Sequence, residues 1–257
     1  MEFPEKQSKF LKKFYLLLFL SAGLFCIFIN QKSTGLDVQD GYDYAQIARN
    51  IADGNGYTTS LILPLACNHY YESGYFPDLW RPPLFPLILA LFFKFFSPDE
   101  HIILAVSGIF FILLTPLVYL LGKTLYNSMV GVLASLLTLA IPEIVIYSTN
   151  CLTESLFCCL FLLACYCVCQ KKSPWVSGVI CGLCYLTRYN FIFFIPPFLW
   201  YGFNKDKKDS ITFSGKLLVA FLITISPWIA RNVYAQQKPF FSLQYYEVAL
   251  FTPEYPH

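Results

Sequence analysis

Side chains that can support acid–base chemistry lie in one polar segment near the start of the chain. Asp37 and Asp40 precede residues 44–52, in which apolar residues recur at helical spacing. Arg81 lies near the end of the same segment, beside a tryptophan. A carboxylate can act as a general base, and a guanidinium matches the geometry of a phosphate. The segment therefore contains a candidate base and a candidate phosphate-binding group.

Both residue types also have a structural explanation. A carboxylate at the start of a helix can cap its free backbone amides, so Asp40 is also a candidate N-cap. An arginine beside a tryptophan can anchor a membrane interface, with its stem on apolar surface and its charge in water. The residue types of Asp40 and Arg81 alone leave these alternatives open.

The composition indicates the class of protein to which these residues belong. Of 257 residues, 56% are apolar and 13% are charged, whereas soluble domains are about 45–50% apolar and about 25% charged. One soluble core of this length would not bury so much apolar surface. This excludes a disordered chain, a small disulfide scaffold and a basic protein with a nucleic-acid partner. It predicts an all-α, polytopic integral membrane protein.

The apolar runs predict about seven transmembrane helices. An eighth run, 83–96, is short, and we expect it to lie in the membrane interface. Most lysines then fall on the inner side, as the positive-inside rule requires, and the N-terminus is cytoplasmic. The expected membrane is the plasma membrane, which is the inner membrane in a bacterium. The predicted spans are roughly 11–30, 102–121, 128–148, 155–169, 174–187, 189–203 and 216–235.

This topology brings residues that are far apart in sequence to the outer side of one domain, residues 1–257. An outer loop, 31–101, contains Asp40 and Arg81, together with amphipathic interfacial helices at about 43–53 and 83–96. Residues 204–216 are expected to form a cytoplasmic loop. The other polar residues that we expect on the outer side are Glu154, Arg188 and Arg231.

Several short motifs follow one another in a recognisable order. An acid after the first span is followed by a Tyr-Ala helix that ends at Gly54-Asn55-Gly56 and then by Arg81-Pro82-Pro83-Leu84. The later motifs are Thr153-Glu154-Ser155-Leu156, Gly182-Leu183 with Thr187-Arg188, and Pro227-Trp228 with Arg231-Asn232. Together they resemble the GT-C membrane glycosyltransferases, in the branch of protein mannosyltransferase-like and aminoarabinose-transferase-like enzymes.

The resemblance implies an inverting glycosyltransferase. Such enzymes pass a sugar from a polyprenyl-phosphate donor to a protein, lipid or glycan acceptor on the non-cytoplasmic face. By this resemblance Asp40 deprotonates the acceptor, and Glu154 is a second catalytic acid that shapes the acceptor or metal side. Arg81 holds the carrier phosphate. Further candidates for binding substrate are Tyr44, Arg188, Arg231 and Asp37.

Two departures from the family pattern leave alternatives open. Many relatives have an acidic pair where this chain has Asp40-Gly41, so a divalent metal ion stays an open cofactor without assigned ligands, although Asp37 could substitute. Relatives are also generally longer, so the C-terminal part of their architecture is expected to be absent. The alternatives are an inactive truncated remnant or split subunit that binds lipid or a partner, and a small lipid-linked transporter.

Overall fold

The computed structural model describes residues 38–60, 75–170, 173–203 and 207–236, together with residue 36 and residues 12, 15, 16, 18–20 and 22–27 of the first apolar run. The described chain is mostly helical, which confirms the predicted helical class. The described part of the first apolar run is itself helical.

Nine α-helices follow along the described residues from 38 onward. A short 3-10 helix, Tyr189–Phe194, joins two of these helices. Two short strands pair antiparallel, with Thr58 opposite Pro77 and Thr59 opposite Phe76. The elements are α1 (Gln39–Ala52), β1 (Thr58–Thr59), β2 (Phe76–Pro77), α2 (Leu84–Phe95), α3 (Glu100–Leu125), α4 (Ser128–Leu139), α5 (Pro142–Thr149), α6 (Glu154–Cys169), α7 (Pro174–Thr187), α8 (Ile195–Phe203) and α9 (Lys207–Gln236).

Two described helices are long and apolar enough to cross a membrane. They are α3, with 26 residues and a mean hydropathy of 2.5, and the part Ile211–Ala235 of α9, with 25 residues and a mean hydropathy of 1.6. The helices α6 and α7 have 16 and 14 residues, whereas a span needs about 17–25. The described residues therefore support two or three spans, and the count of seven stays a prediction.

A third span is present only if the run expected at 128–148, which is bent, crosses the membrane as one unit. This run divides into α4 and α5, whose axes differ by 66°. Ile141 precedes Pro142 and adopts an extended conformation with φ −83° and ψ 112°. The proline ring disfavours helical geometry in the residue before it, so the helix breaks there. The two helices form either one broken span or a re-entrant loop.

A second break lies at Arg188, between the expected runs 174–187 and 189–203. The helix α7 ends at Thr187, and Arg188 has an extended backbone with φ −149° and ψ 117°. Its side chain can therefore leave the helical bundle at the level where α7 ends. At the other end of this region, α9 already begins at Lys207, inside the stretch expected to be a cytoplasmic loop.

The helix α2 occupies the short run expected at 83–96, and apolar residues lie on both its buried and its exposed side. Phe85 and Leu89 are fully buried against α1 and α3, whereas Leu87 and Leu91 are about half exposed. The exposed apolar face suits contact with lipid. The position of α2 at the membrane interface stays a prediction.

The helices α7 and α9 pack through two glycines on one face of α7. Gly178 and Gly182 are four residues apart, the spacing by which small residues allow helices to approach closely in membranes. A Cβ atom added at Gly178 would lie 2.6 Å from the Cβ atom of Ala220, and one at Gly182 would lie 2.5 Å from that of Thr224. These glycines therefore set the distance between α7, which precedes Arg188, and α9.

Replacing Gly178 with alanine is expected to lower the free energy of unfolding by about 1–3 kcal/mol, because α7 and α9 must move apart. Thermal unfolding of the purified protein in detergent measures this change. Gly215→Ala on α9 is the matched control, since an added Cβ meets nothing within 4 Å, and it should leave stability equal or higher by up to about 1 kcal/mol. A Gly178→Ala protein as stable as the parent would contradict this packing.

Candidate active site

The first turns of α1 direct two carboxylates to the same side of the helix. The N-cap of α1 is Val38, and no side chain caps the helix there. Asp40 lies inside the first turn, where its charge is favourable to the helix dipole, and its side chain bonds to Arg81. The interpretation of Asp40 as an N-cap is therefore wrong, because the helix begins before it. Asp43 follows three residues later on the same face.

One arginine joins both carboxylates. The Nη2 atom of Arg81 donates to Oδ1 of Asp40 at 2.7 Å and to Oδ2 of Asp43 at 2.6 Å. The guanidinium also lies 5.1 Å from the ring centre of Tyr44. The side chains of Arg81 and Asp43 are 14% and 10% exposed, whereas that of Asp40 is 51% exposed. Asp43 is therefore the buried counter-ion of the arginine, and Asp40 keeps a carboxylate open to solvent.

Asp78 fixes the backbone of Arg81. Its Oδ1 atom accepts hydrogen bonds from the amides of Trp80 at 3.1 Å and Arg81 at 2.8 Å, as an aspartate does in a tight turn. Burial raises the pKa of Asp78 to about 6, against the lowering effect of these amides and of the charges on Arg81 and Arg231. Ionisation of Asp78 therefore lowers the stability of the folded chain.

The raised pKa gives a prediction about pH. Between 3.8 and about 6 the folded chain binds more protons at Asp78 than the unfolded chain, so stability falls as pH rises through this window. Asp78→Asn keeps an oxygen that accepts both amides and removes the titrating charge. We expect this variant to flatten the profile of unfolding midpoint against pH and to add about 1–3 kcal/mol of stability above pH 6.

The control for this profile is Asp53→Asn, because Asp53 is exposed just after α1. It should keep the parental slope between pH 4 and 6. An Asp78→Asn protein with the parental slope would contradict the assignment of the titrating group to Asp78.

A second acid–arginine pair lies opposite the first. Glu154 begins α6, and its Oε1 atom lies 2.5 Å from Nη1 of Arg188. Within these two pairs, two buried polar atoms have no hydrogen-bond partner among the described residues: Oε2 of Glu154 and Nε of Arg81. Buried polar atoms usually have partners, so one acceptor and one donor remain unused at these two pairs.

A cavity of about 130 Å³ connects the two pairs. Its volume holds a few water molecules or a small polar group. The structure brings five of the residues predicted from the sequence to its wall: Asp40, Tyr44, Arg81, Glu154 and Arg188. Burial raises the pKa of Tyr44, while Arg81 and Thr153 interact with its phenol and lower it.

The other two predicted residues are not part of this wall as described. Asp37 lies outside the described residues. Arg231 contacts the loop behind the cavity, since its Nη1 and Nη2 atoms donate to the carbonyl oxygens of Asp78 at 2.5 Å and Tyr57 at 2.7 Å. Together with Tyr57 and Pro77, Arg231 also lines a second cavity of about 610 Å³.

The close packing around Gly41 accounts for the absence of an acidic residue after Asp40. A Cβ atom at this position would lie 2.8 Å from the carbonyl oxygen of Asn150 and 3.2 Å from the Cβ atom of Cys151. The start of α1 therefore rests directly on the turn before Glu154. Cys151 in this turn has φ 55°, a conformation that non-glycine residues rarely adopt. The close contact brings Asp40 near Glu154 and leaves no room for a second acid at position 41.

Asp43 and Asp78 are the site residues that the sequence analysis did not single out. Each has a sequence signal, because Asp43 follows Asp40 at a helical spacing of three and Asp78 precedes Arg81 in a turn before two prolines. Both signals become specific only when the position of Arg81 in space is known.

The carboxylates of the site are arranged for guanidinium groups rather than for a metal ion. Asp40 and Asp43 bind Arg81, and Glu154 binds Arg188. In the described part of the chain, no three His, Cys, Asp or Glu side chains lie close enough together to hold a metal ion. This donor set favours a phosphate over a divalent cation, so no step is assigned to a metal.

Comparison with known proteins identifies the family. A family model described as dolichyl-phosphate-mannose-protein mannosyltransferase matches residues 80–230, which is more than half of the 257 residues. No curated protein and no solved structure matches significantly. The match includes the motifs around Arg81, Glu154 and Arg188 and confirms the resemblance inferred from them. The chain belongs to the dolichyl-phosphate-mannose-protein mannosyltransferase family, which is of the GT-C type.

Proposed function

We propose that the chain transfers a sugar from a polyprenyl-phosphate donor to an acceptor on a protein, lipid or glycan. The observation that supports this is the cavity between the pairs Arg81–Asp40 and Arg188–Glu154. It offers two guanidinium groups for a phosphate and a half-exposed carboxylate for the acceptor. Family membership supports glycosyl transfer in general, and these side chains supply the residues for the individual steps.

The phosphate of the donor binds to Arg81 and Arg188. Arg81 remains paired with buried Asp43 when it turns from Asp40 toward the phosphate, so its charge stays neutralised. As the bond between C1 of the sugar and the phosphate oxygen breaks, negative charge grows on the phosphate. Preorganised guanidinium donors stabilise that charge in the transition state. The carrier leaves as polyprenyl phosphate.

Asp40 acts on the acceptor. Its carboxylate, released from Arg81 when the phosphate binds, accepts the proton of the acceptor nucleophile as that nucleophile bonds to C1. One base is sufficient for a single displacement with inversion at C1. Glu154 has an unused Oε2 atom that accepts a hydrogen bond from the sugar or the acceptor. The phenol of Tyr44 lines the same cavity, and Asp37 is proposed as a further residue that binds substrate.

The exposed apolar surfaces of the helices suit the lipid tail of the donor. Leu87 and Leu91 on α2 begin such a surface a few residues after Arg81. A polyprenyl chain can lie along it while the phosphate reaches the guanidinium. We propose that the site lies on the outer side of the plasma or inner membrane, with seven spans and a cytoplasmic N-terminus.

Release of dolichyl phosphate tests the proposal. The purified protein in lipid nanodiscs is given dolichyl-phosphate mannose and a membrane extract as the source of acceptor. The parent should release dolichyl phosphate, and Arg81→Gln should lower kcat/KM by about 10- to 100-fold through loss of charged hydrogen bonds. Arg49→Gln on the exposed side of α1 is the matched control and should behave as the parent. Full turnover by Arg81→Gln would refute the proposed role of Arg81.

A further inference from the structure

Aromatic hydroxyl groups from distant parts of the chain hold the carbonyl of Arg81. The hydroxyl of Tyr57 lies 3.0 Å from the carbonyl oxygen of Arg81 and 3.1 Å from that of Pro82, so its one proton is shared between them. The hydroxyl of Tyr189 donates to the carbonyl oxygen of Arg81 at 3.4 Å. With Asp78 on its amide, Arg81 is held at both ends of its backbone.

Two residues at the end of α9 hold these tyrosines in turn. The indole Nε1 of Trp228 donates to the hydroxyl of Tyr189 at 2.8 Å, and its ring meets that of Tyr57 edge to face at 4.8 Å. Arg231 donates to the carbonyl oxygen of Tyr57 and lies 5.3 Å from the ring centre of that residue. Trp228 and Tyr189 are buried, at 8% and 3% exposure.

Such support is needed because of the sequence that follows Arg81. Pro82 and Pro83 have no backbone N–H, so this segment lacks two amide donors that could tie it to its surroundings. The carbonyl oxygens of this segment can still accept hydrogen bonds, and such bonds fix its backbone. The tyrosine hydroxyls supply it, and a fixed backbone limits the positions that the guanidinium of Arg81 can reach.

We infer that Tyr57, Tyr189, Trp228 and Arg231 form a brace that positions Arg81 for the donor phosphate. Arg231 is then a positioning residue that acts through Tyr57 and Asp78, and it does not contact the phosphate. This inference rests on the proposed function, because it assigns the brace to the phosphate-binding role of Arg81. The inference also explains how residues 227–232, which do not line this cavity, can contribute to the site.

Binding of dolichyl phosphate to nanodisc-embedded protein tests the brace without an acceptor. Tyr57→Phe removes one hydroxyl and keeps the ring against Trp228 and Arg231, so we expect the Kd to rise about 3- to 10-fold. The matched control is Tyr126→Phe, because Tyr126 is 74% exposed in the turn after α3. The parental Kd in Tyr57→Phe would overturn the brace.

A double-mutant cycle separates positioning from direct contact. In an Arg81→Gln background, Arg231→Gln should raise the Kd by less than twofold, because the residue through which it acts is already absent. A direct contact between Arg231 and the phosphate predicts instead a further loss of at least tenfold in that background. Such an additive loss would overturn the assignment of Arg231 as a positioning residue.

Labelling with phenylglyoxal tests the brace independently of the proposed function. Arg81 is 14% exposed and should react slowly in the parent. We expect labelling at Arg81, measured by mass spectrometry, to be at least threefold faster in Tyr57→Phe and in Arg231→Gln, and unchanged in Tyr126→Phe. Parental rates in both variants would overturn the brace, whereas a parent that binds no dolichyl phosphate but shows the faster labelling would overturn only the proposed function.

Discussion

Asp40→Asn is expected to lower kcat for sugar transfer by about 10²- to 10⁴-fold, the range associated with loss of a general base. Asparagine has nearly the same shape, and its side-chain oxygen can still accept from Arg81. It cannot take a proton from the acceptor. The initial rate of dolichyl phosphate release at saturating donor measures the effect. Because Asp40 is half exposed, its pair with Arg81 contributes at most about 1 kcal/mol, so the unfolding midpoint should hardly change.

The control for this result is Asp53→Asn, an exposed acid at the other end of the same helix. It should keep the parental rate. If Asp40→Asn turned over at that rate, Asp40 would not be the base. Glu154, with its unused carboxylate oxygen, would then be the remaining acid on the wall of the cavity.

The sequence was sufficient to predict that these residues share one side of the molecule. Apolar runs and the positions of lysines place Asp40, Arg81, Glu154 and Arg188 at the same end of the helices, and the motif order resembles one family. The structure brings all four to one cavity. Hydropathy succeeds here because a buried or lipid-facing helix cannot carry these charges, so they collect where the helices end.

The partners within the site depend on tertiary contacts that no local pattern contains. The hydrogen bond from Arg231 to Tyr57 joins residues 174 positions apart. The family resemblance made Arg231 a further candidate for binding substrate. In the folded chain the same guanidinium meets backbone carbonyl oxygens and aromatic rings. Residue chemistry thus predicts what a side chain can bind, and the fold decides which acceptor it reaches.

The lengths of the spans were harder to predict than the positions of these residues, because a single proline can break a helix. Hydropathy averages over a window and does not register the effect of one proline on the residue before it. Ile141 is extended because Pro142 follows it, so an apolar run of sufficient length becomes two helices at 66°. By contrast, α7 ends at Thr187, where the predicted run 174–187 also ends.

Asp43→Ala is expected to destabilise the folded chain by about 3 kcal/mol. Removing one member of a buried ion pair costs about 3–5 kcal/mol, because the other charge stays buried without compensation. Arg81 is 14% exposed and keeps its bond to Asp40, so the lower end of this range applies. Thermal unfolding in detergent measures the loss. Asp40→Ala is the matched control, since it removes a carboxylate from the same guanidinium and should cost about 1 kcal/mol or less.

A double substitution identifies the cause of that loss. Arg81→Met together with Asp43→Leu removes both charges and fills the space with apolar side chains, so it should recover most of the stability lost in Asp43→Ala. It should not recover binding of dolichyl phosphate, since the guanidinium is absent. An equal loss of stability in Asp43→Ala and Asp40→Ala would contradict the assignment of different roles to the two carboxylates. Asp43 is expected to hold the arginine by being buried, and Asp40 to remain available for the acceptor by being exposed.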